Sequence, residues 1–475
     1  MAPAVPDTPA PAQRSPLRAC LLLASVAVAA YFSSFAGTFQ FDDWAVIVED
    51  PRVHSLAAWW ASMPGIRPLL KLSYALNWQS GFGLTGYHAV NLALHVGNCW
   101  LAYALLQRLA GRTLAPRLAS RASLAALFAA LLFALHPVQT EAVTYISGRS
   151  SSLAAFFALA SLLTREFARE QPAAIRRTAW LAASLLLFVF ALGTKETALV
   201  VPIALVLLAA CDVRREVRWR DALGPALPHF CVLIVAGYAA AGLPRYWMLL
   251  ESSFTARDLG VNLLTQLHAV AYLIGQLFMP WRLNSDPTLP LVTAWTPSTA
   301  AIALAYAASL AAGAMALRRR PEITFGIFWF FLWLAPTNSL LPRLDLVNDR
   351  QLYVALLGPA WLAGCLAVSC AARVAALGRA PRLGLAATGL VILHLLGFAT
   401  AHRNAVYASE IAFWSDVAAK SPANPRAAGN LGYAYALAGR RVEAEAQFRR
   451  ALALDPQYTR AAINLMLLKD GSLAP

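Results

Sequence analysis

The sequence predicts an all-α, polytopic membrane protein of about 11 spans, with one further re-entrant segment and a short helical solenoid at its C-terminus. Three observations carry this. Of 475 residues, 59% are hydrophobic and only 13% charged, with a mean hydropathy of +0.55, which is far more apolar than a soluble globular domain. Apolar runs of spanning length alternate with short arginine clusters. Near residue 403 the composition changes to that of a soluble helical repeat. A soluble enzyme of this length is excluded. The formal charge of +15 does not point to nucleic acid. The basic residues sit between apolar runs, where they set topology, and no basic stripe interleaved with aromatics occurs. The six cysteines lie in or beside apolar segments without metal-type spacing and read as inert.

Residues 1–16 are rich in Pro and Ala and are expected to be disordered. The first apolar run, roughly 18–37, follows Arg14 and Arg18. Ala27-Val28-Ala29 has the pattern of a cleavable leader, but the apolar stretch continues long enough to serve as a span. Arginine clusters at 108–121, 165–177, 214–220, 318–320 and 373–382 mark successive cytoplasmic turns. Spans near 87–107, 122–136, 150–164, 178–194, 197–211, 222–242, 298–317, 322–341, 351–372 and 383–401 fit that alternation. A single crossing by 262–280 would place Arg318 to Arg320 outside. That segment is therefore read as re-entrant, or as lying in an external loop.

The alternation sends the loop 38–86, the turns around 137–149 and 342–350, and the C-terminus to the external face. The long loop keeps amphipathic pieces, SLAAWWASM and RPLLKLSYALNW, suited to helices lying in the interface. The segment 17–402 is thus one transmembrane domain, and 403–475 a second, helical one. From Pro425 to Tyr458 the chain reads as one tetratricopeptide unit, with Leu431, Gly432, Tyr435, Ala444, Phe448, Ala451 and Pro456 at its packing positions. Partial units flank it. So short an array is expected to dock on the membrane part, either to bind an acceptor or partner protein or to cap the last span.

Polar residues at the edge of a span are costly and mark candidate function. GTFQFDDWAVIVEDP at 37–51 carries Asp42 and Asp43, a carboxylate pair able to supply a general base, followed by Glu49 and Asp50. The same acids would also suit a solvated loop or a helix cap. LFALHPVQTEAVTYISGRSS at 132–151 adds His136, Glu141 and Arg149, and GTKETA adds Lys195 and Glu196. LPRLDLVNDRQLY contributes Arg343, Asp345, Asp349, Arg350 and Tyr353. Cations at this level suit a phosphate whose lipid tail stays in the bilayer. Arg350 is the first choice for that grip, with Arg149 and Lys195, whereas Arg343, nearer the apolar run, is expected to be tolerant of change. His88, Asn91 and His95 share a helix face and read as polar packing between helices.

These pieces, taken in order, resemble the transmembrane and tetratricopeptide repeat-containing O-mannosyltransferases and their bacterial relatives, glycosyltransferases of the GT-C type. The resemblance is carried by FDDW at 41–44, RPLLKLSYALN beginning at Arg67, GYHAVNLALH at 86–95, HPVQTEAVTYISGRSSSL at 136–153, TKETA at 194–198, NDRQLY at 348–353 and the terminal repeat. It implies a catalytic carboxylate on the loop after the first span and a polyprenyl-phosphate sugar as donor. The sugar, mannose by resemblance, would pass with inversion to a hydroxyl of an exported protein or glycan. The Ala-, Arg- and Leu-rich composition resembles bacterial members. That places the chain in a bacterial inner membrane, with its active face and repeat in the periplasm. Where the family has Glu-Arg, this chain has Asp349-Arg350-Gln351, and its repeat array is short. The account requires no metal, and a divalent ion held by the acidic cluster stays open. The rival reading is a nonenzymatic membrane scaffold for envelope or polysaccharide assembly, in which the outward charges are structural.

Overall fold

The structure is a computed structural model that describes residues 16–212 and 219–473. The expected disordered segment 1–16, apart from Pro16, lies outside the described residues, as do Arg214, Arg215 and Arg218. Among the described residues every regular element is a helix. Ten helices are long and apolar enough to cross a membrane. The chain is therefore a helical, polytopic membrane protein.

Two expected spans, 197–211 and 322–341, prove short, at Glu196–Ala210 and Pro321–Leu334. The second stops because Pro336 follows, and proline can neither donate to the preceding turn nor sit beside its carbonyl. In the first, Pro202 stands at the start of the α-helical part, and a 3₁₀ turn precedes it. Both helix ends are thereby left at the edge of the candidate site. Elsewhere the helices close on small residues, as membrane helices do. A β-carbon at Gly358 would lie 2.3 Å from the Gly326 carbonyl oxygen, so only glycine permits that crossing.

The helix Ile146–Glu170 orders the two ends of the bundle, which over 25 residues lie roughly 37 Å apart. Arg149 and Ser151 stand at its start. At its finish Glu166 pairs with Arg112 and Arg169, and Arg169 reaches Asp212 at 3.5 Å. Arg112 and Arg169, of two of the arginine clusters, and the acidic loop thus stand at opposite ends of this helix.

The segment expected to be re-entrant is one continuous helix, Leu259–Phe278, of spanning length. Its hydrogen bonds nevertheless go to the acidic end at both of its own ends. Asn262 donates to Ser339 O and Gln266 to Leu346 O near its start, and Leu277 O meets His136 Nε2 near its finish.

In the acidic loop, Leu56–Ala61 and Pro68–Ser80 are helical. Leu70 and Tyr74 pack with Ile47, Val53, Tyr87 and Ile146 into a small core of their own, which fixes the loop over the bundle. At the C-terminus four helices follow in a row, Glu410–Lys420, Pro425–Leu437, Arg441–Leu454 and Thr459–Lys469. Ala444, Phe448 and Ala451 are fully buried. Gly432 faces the Phe448 ring so closely that a β-carbon would stand 2.8 Å from it. The row does not stand apart. Phe413, Trp414, Val417 and Leu431 share a core with Tyr145 and Tyr407.

Candidate active site

After a short extended stretch, the loop enters a helical turn at Asp42 that widens into a π-turn over Trp44–Val48, with Glu49 N–H donating to Trp44 O at 2.8 Å. π-Turns often mark functional sites. This turn separates the two acids. Asp42 keeps 40% of its side chain exposed and lines a cavity of about 700 Å³. Asp43 is 0% exposed. Its Oδ2 accepts the Gln40 N–H at 2.9 Å and its Oδ1 the Ser147 N–H at 2.7 Å, tying the loop to the turn after His136. Burial pushes the Asp43 carboxyl up to about 7 against the pull of those two N–H groups.

The cavity is strongly cationic. Arg52, Arg67, Lys71, Lys195, Arg245, Arg343 and Arg350 line it against Asp42, Asp50 and Glu196. Asp50 is taken up by Arg52 at 2.6 Å and Lys71 at 3.3 Å, and Glu196 by Arg67 at 2.7 Å. Arg67 itself opens the helix Pro68–Ser80 from a left-handed backbone, φ 52°. Lys195, Arg245 and Arg343 have no carboxylate partner among the described residues. The Lys195 ammonium donates to Ser151 Oγ at 2.7 Å. Burial, then the positive fields of Arg350, Arg67 and Arg343, holds it well below the ordinary lysine range. Burial, then Arg350 and Arg67, lower Arg343. A wall of this kind lacks negative charge, and an anion entering it would relieve mutual repulsion at several side chains.

Arg350 stands at the centre. Its Nη2 lies 3.5 Å from Asp42 Oδ2, its Nε 3.6 Å from Glu141 Oε1, and its own N–H donates to Glu141 Oε2 at 3.1 Å. Its guanidinium also lies over the Tyr145 ring, 5.6 Å from the centroid. Burial opposes its charge, and Glu141, Tyr145 and Asp42 overcome that cost, holding it above its ordinary value. Glu141 and Asp349 are both buried, and burial raises both. Lys195 and Arg350 also line a narrower cleft, between Ser151 and Ala154 on one side and Trp333 and Thr337 on the other.

Several expected site residues stand behind this wall. Arg149 is 0% exposed and does not line the cavity. Its Nε donates to Asn91 Oδ1 at 2.7 Å, and its two amino groups to Ser73 O and Tyr87 O at 3.1 Å. Tyr74 and Tyr87 flank it at 5.1 and 5.2 Å. His136 caps the turn after it, accepting the Val138 N–H at 3.2 Å while its Nε2 meets Leu277 O. Burial pulls it down to about 4, so the ring is neutral. Tyr353 bonds His95 Nδ1 at 2.9 Å and Asn98 at 3.0 Å, and it lines the narrower cleft rather than the larger cavity. His88, Asn91 and His95 are all engaged between helices, to Gly37 O, to the carbonyls of Val143, Tyr145 and Ile146, and to Ala134 O. Gly148 shows how tightly this block folds. A β-carbon there would lie 2.0 Å from Glu141 O.

The structure thus gathers Asp42, Arg350, Lys195, Glu196 and Arg67 on one cavity, and places Asp43, Glu141, Arg149, His136 and Tyr353 around it. It also brings in residues not expected there. Arg343 is on the cavity rather than remote from it. Arg52 follows the acidic run directly. Arg245 belongs to the helix Pro244–Ala256, in a stretch with no motif to single it out.

No family model matches the chain. Among similar proteins, Homo sapiens protein O-mannosyl-transferase TMTC4 is 34% identical over 211 residues, which cover 39% of this chain and 28% of that protein. A Caenorhabditis elegans protein O-mannosyl-transferase is 32% identical over 184 residues, or 34% of this chain and 26% of the relative. Drosophila melanogaster protein O-mannosyl-transferase Tmtc2 is 32% identical over 215 residues, or 41% and 22%. The chain spans less than a third of the length of each of these relatives. Over the matched stretch, it is a relative of the proteins named protein O-mannosyl-transferases.

Proposed function

We propose that the chain is a membrane glycosyltransferase that moves one sugar from a polyprenyl-phosphate donor to a hydroxyl of an exported protein or glycan. Mannose is the sugar favoured by the names of the relatives. The observation that carries the reading is Asp42, an acid of the cavity wall held only by a loose 3.5 Å contact to Arg350, where Asp50 and Glu196 are taken up in tighter ion pairs and the wall is otherwise in excess of positive charge. An acceptor hydroxyl is a poor nucleophile, and Asp42 takes its proton as the oxygen bonds to the anomeric carbon from the face opposite the phosphate. The sugar–phosphate bond breaks with inversion, and the electron pair leaves on the lipid phosphate. Arg350 and Lys195, joined by Arg343 and Arg245, meet that charge with charge-assisted hydrogen bonds in a partly dry site. Arg67 and Glu196 hold the cavity floor, Asp43 holds the loop, and Arg149 holds the helices beneath it. The cavity opens at the end opposite the arginine clusters, which by the positive-inside rule is the periplasmic face of a bacterial inner membrane. The C-terminal row is then a platform for the acceptor.

The test compares exported glycoproteins and glycolipids, by mass spectrometry, in strains with and without this protein. Loss of a hexose from defined hydroxyl residues, restored by the intact chain and not by Asp42→Asn, is the expected result. An unchanged glycan profile, or full restoration by Asp42→Asn, would overturn it and favour the scaffold.

A further inference from the structure

Asp42 is aimed by its neighbour. Phe41 adopts φ 43°, a left-handed backbone that bulky side chains rarely enter. Such a conformation persists only where the surroundings impose it. Its ring packs on the core shared by Tyr145, Tyr407 and the C-terminal row, and two directed contacts on it come from that row. The Trp414 ring meets it edge-on, with centroids 5.3 Å apart and planes at 88°, and the Arg426 guanidinium lies over it, 5.3 Å from the centroid. Arg426 is itself anchored. Its Nε donates to Asp286 Oδ2 at 2.9 Å, and its Nη2 reaches Asp286 and, at 3.0 Å, Asp345. On either side of Phe41 the chain is held from the same direction. Thr38 N–H and Gln40 Nε2 both donate to Tyr407 O at 3.2 Å, and Trp44 Nε1 donates to Glu410 at 2.7 Å.

We propose that Arg426 and Trp414 are positioning residues for the transfer. By clamping the Phe41 ring they keep the backbone in its left-handed turn, and so keep the Asp42 carboxylate turned toward Arg350 and the cavity. This rests on the reading of Asp42 as the base. The C-terminal row is then part of the catalytic apparatus as well as a platform. Its removal or loosening lowers the chemical step without touching the donor grip, since neither Arg426 nor Trp414 lines the cavity. A misplacement of about 1 Å at a reacting group costs up to roughly a hundredfold in rate.

The experiment measures kcat, acceptor KM and donor affinity of the full-length chain in vesicles with polyprenyl-phosphate mannose. The variants are Arg426→Gln, Arg426→Lys, Phe41→Ala and the double variant Phe41→Ala with Arg426→Gln. Arg426→Gln and Phe41→Ala are each expected to lower kcat about tenfold or more with donor affinity unchanged. The double variant should be no worse than Phe41→Ala alone, because the arginine acts through that ring. Arg426→Lys, which keeps a cation for the ring but not the paired grip on Asp286 and Asp345, should recover part of the rate and exceed Arg426→Gln. Phe41→Ala leaves the row's own ion pairs in place, so it reports even where Arg426→Gln folds poorly. Full kcat in Phe41→Ala, losses that multiply in the double variant, or a fall in donor affinity equal to the fall in kcat would overturn the clamp. An active Asp42→Asn enzyme would instead overturn the reading of Asp42. An inert Asp42→Asn beside a fully active Phe41→Ala would sink the clamp alone.

Discussion

Arg350 faces Asp42 across 3.5 Å, a loose pair, while its backbone and guanidinium hold Glu141 behind it. A tight, bidentate pair would occupy the carboxylate. The loose one leaves Asp42 an oxygen for an incoming hydroxyl and keeps the guanidinium beside the place where phosphate charge would develop. Asp43, one residue on, has both oxygens committed to backbone N–H groups.

The two acids should therefore fail differently. Asp42→Asn preserves shape but cannot take a proton, and kcat should fall by about a hundredfold or more in an enzyme that folds normally. Asp43→Asn puts an amide N–H₂ where an N–H donor needs an acceptor, costing about 1–3 kcal/mol of stability. Its signature is a lower unfolding midpoint. Glu49→Gln, on the exposed edge, should change neither quantity. Equal kcat losses with equal unfolding midpoints for both Asp variants would refute the division.

How much of this is legible in the sequence follows from what composition can see. Helices as long and apolar as Gly83–Thr113 stand out, and so do charged residues at their margins, among them Asp42, Lys195 and Arg350. Which side of a loop a charge faces does not stand out. Asp42 and Asp43 are the same residue type, and one step along a helical turn decides between cavity and interior. Arg149 carries the chemistry of a phosphate ligand, yet its donors are consumed by Asn91 and two carbonyls that only the fold brings near. Arg343 lies beside an apolar run, which marks it as tolerant of change, but the fold brings it to the wall of the cavity. Arg245 belongs to no motif. The placement of Leu259–Phe278 likewise needs its long-range hydrogen bonds, because length and apolarity alone suit a crossing.

Asp43 also makes stability depend on pH. Its carboxyl is pushed from an ordinary 3.8 up to about 7, with burial as the cause. Between these values the folded chain keeps a proton that the unfolded chain has released, so its contribution is complete below about 4 and is lost as pH rises to about 7. The unfolding midpoint of the intact chain relative to Asp43→Asn should fall across that window and level off above it. A difference that is flat from pH 4 to 8 would contradict the assignment.

Arg149 should behave as structure. Replacing it with Met leaves Asn91 Oδ1 without its donor, at a cost of about 1–3 kcal/mol, and takes a second bond from the carbonyls of Ser73 and Tyr87, which keep their helical N–H donors. Folded yield in membranes should drop sharply. Whatever folds should bind donor with ordinary affinity. A well-folded Arg149→Met enzyme with a raised donor KM would return this residue to the phosphate site.

Arg343 and Arg350 should separate binding from chemistry. Arg343 lines the cavity without a carboxylate partner among the described residues, so Arg343→Ala removes attraction for an anion in ground and transition states alike, and donor KM should rise severalfold with kcat nearly intact. Arg350 does more. Its planar fork offers Nη2 to Asp42 and Nε to Glu141, and a lysine ammonium, a single compact charge on a flexible stem, cannot serve both. Arg350→Lys should therefore lower kcat by tenfold or more even though the net charge is kept, consistent with a contact that strengthens as the phosphate departs. Arg350→Ala should be worse, because it leaves the buried Glu141 without its nearest guanidinium, with backbone N–H groups and the field of Arg403 against its charge. The measurement is steady-state transfer from polyprenyl-phosphate mannose by the reconstituted chain, with folding checked by thermal midpoint. If Arg350→Lys matches the intact enzyme in kcat, the fork is not used in the reaction, and Lys195 and Arg343 would have to carry the phosphate without it.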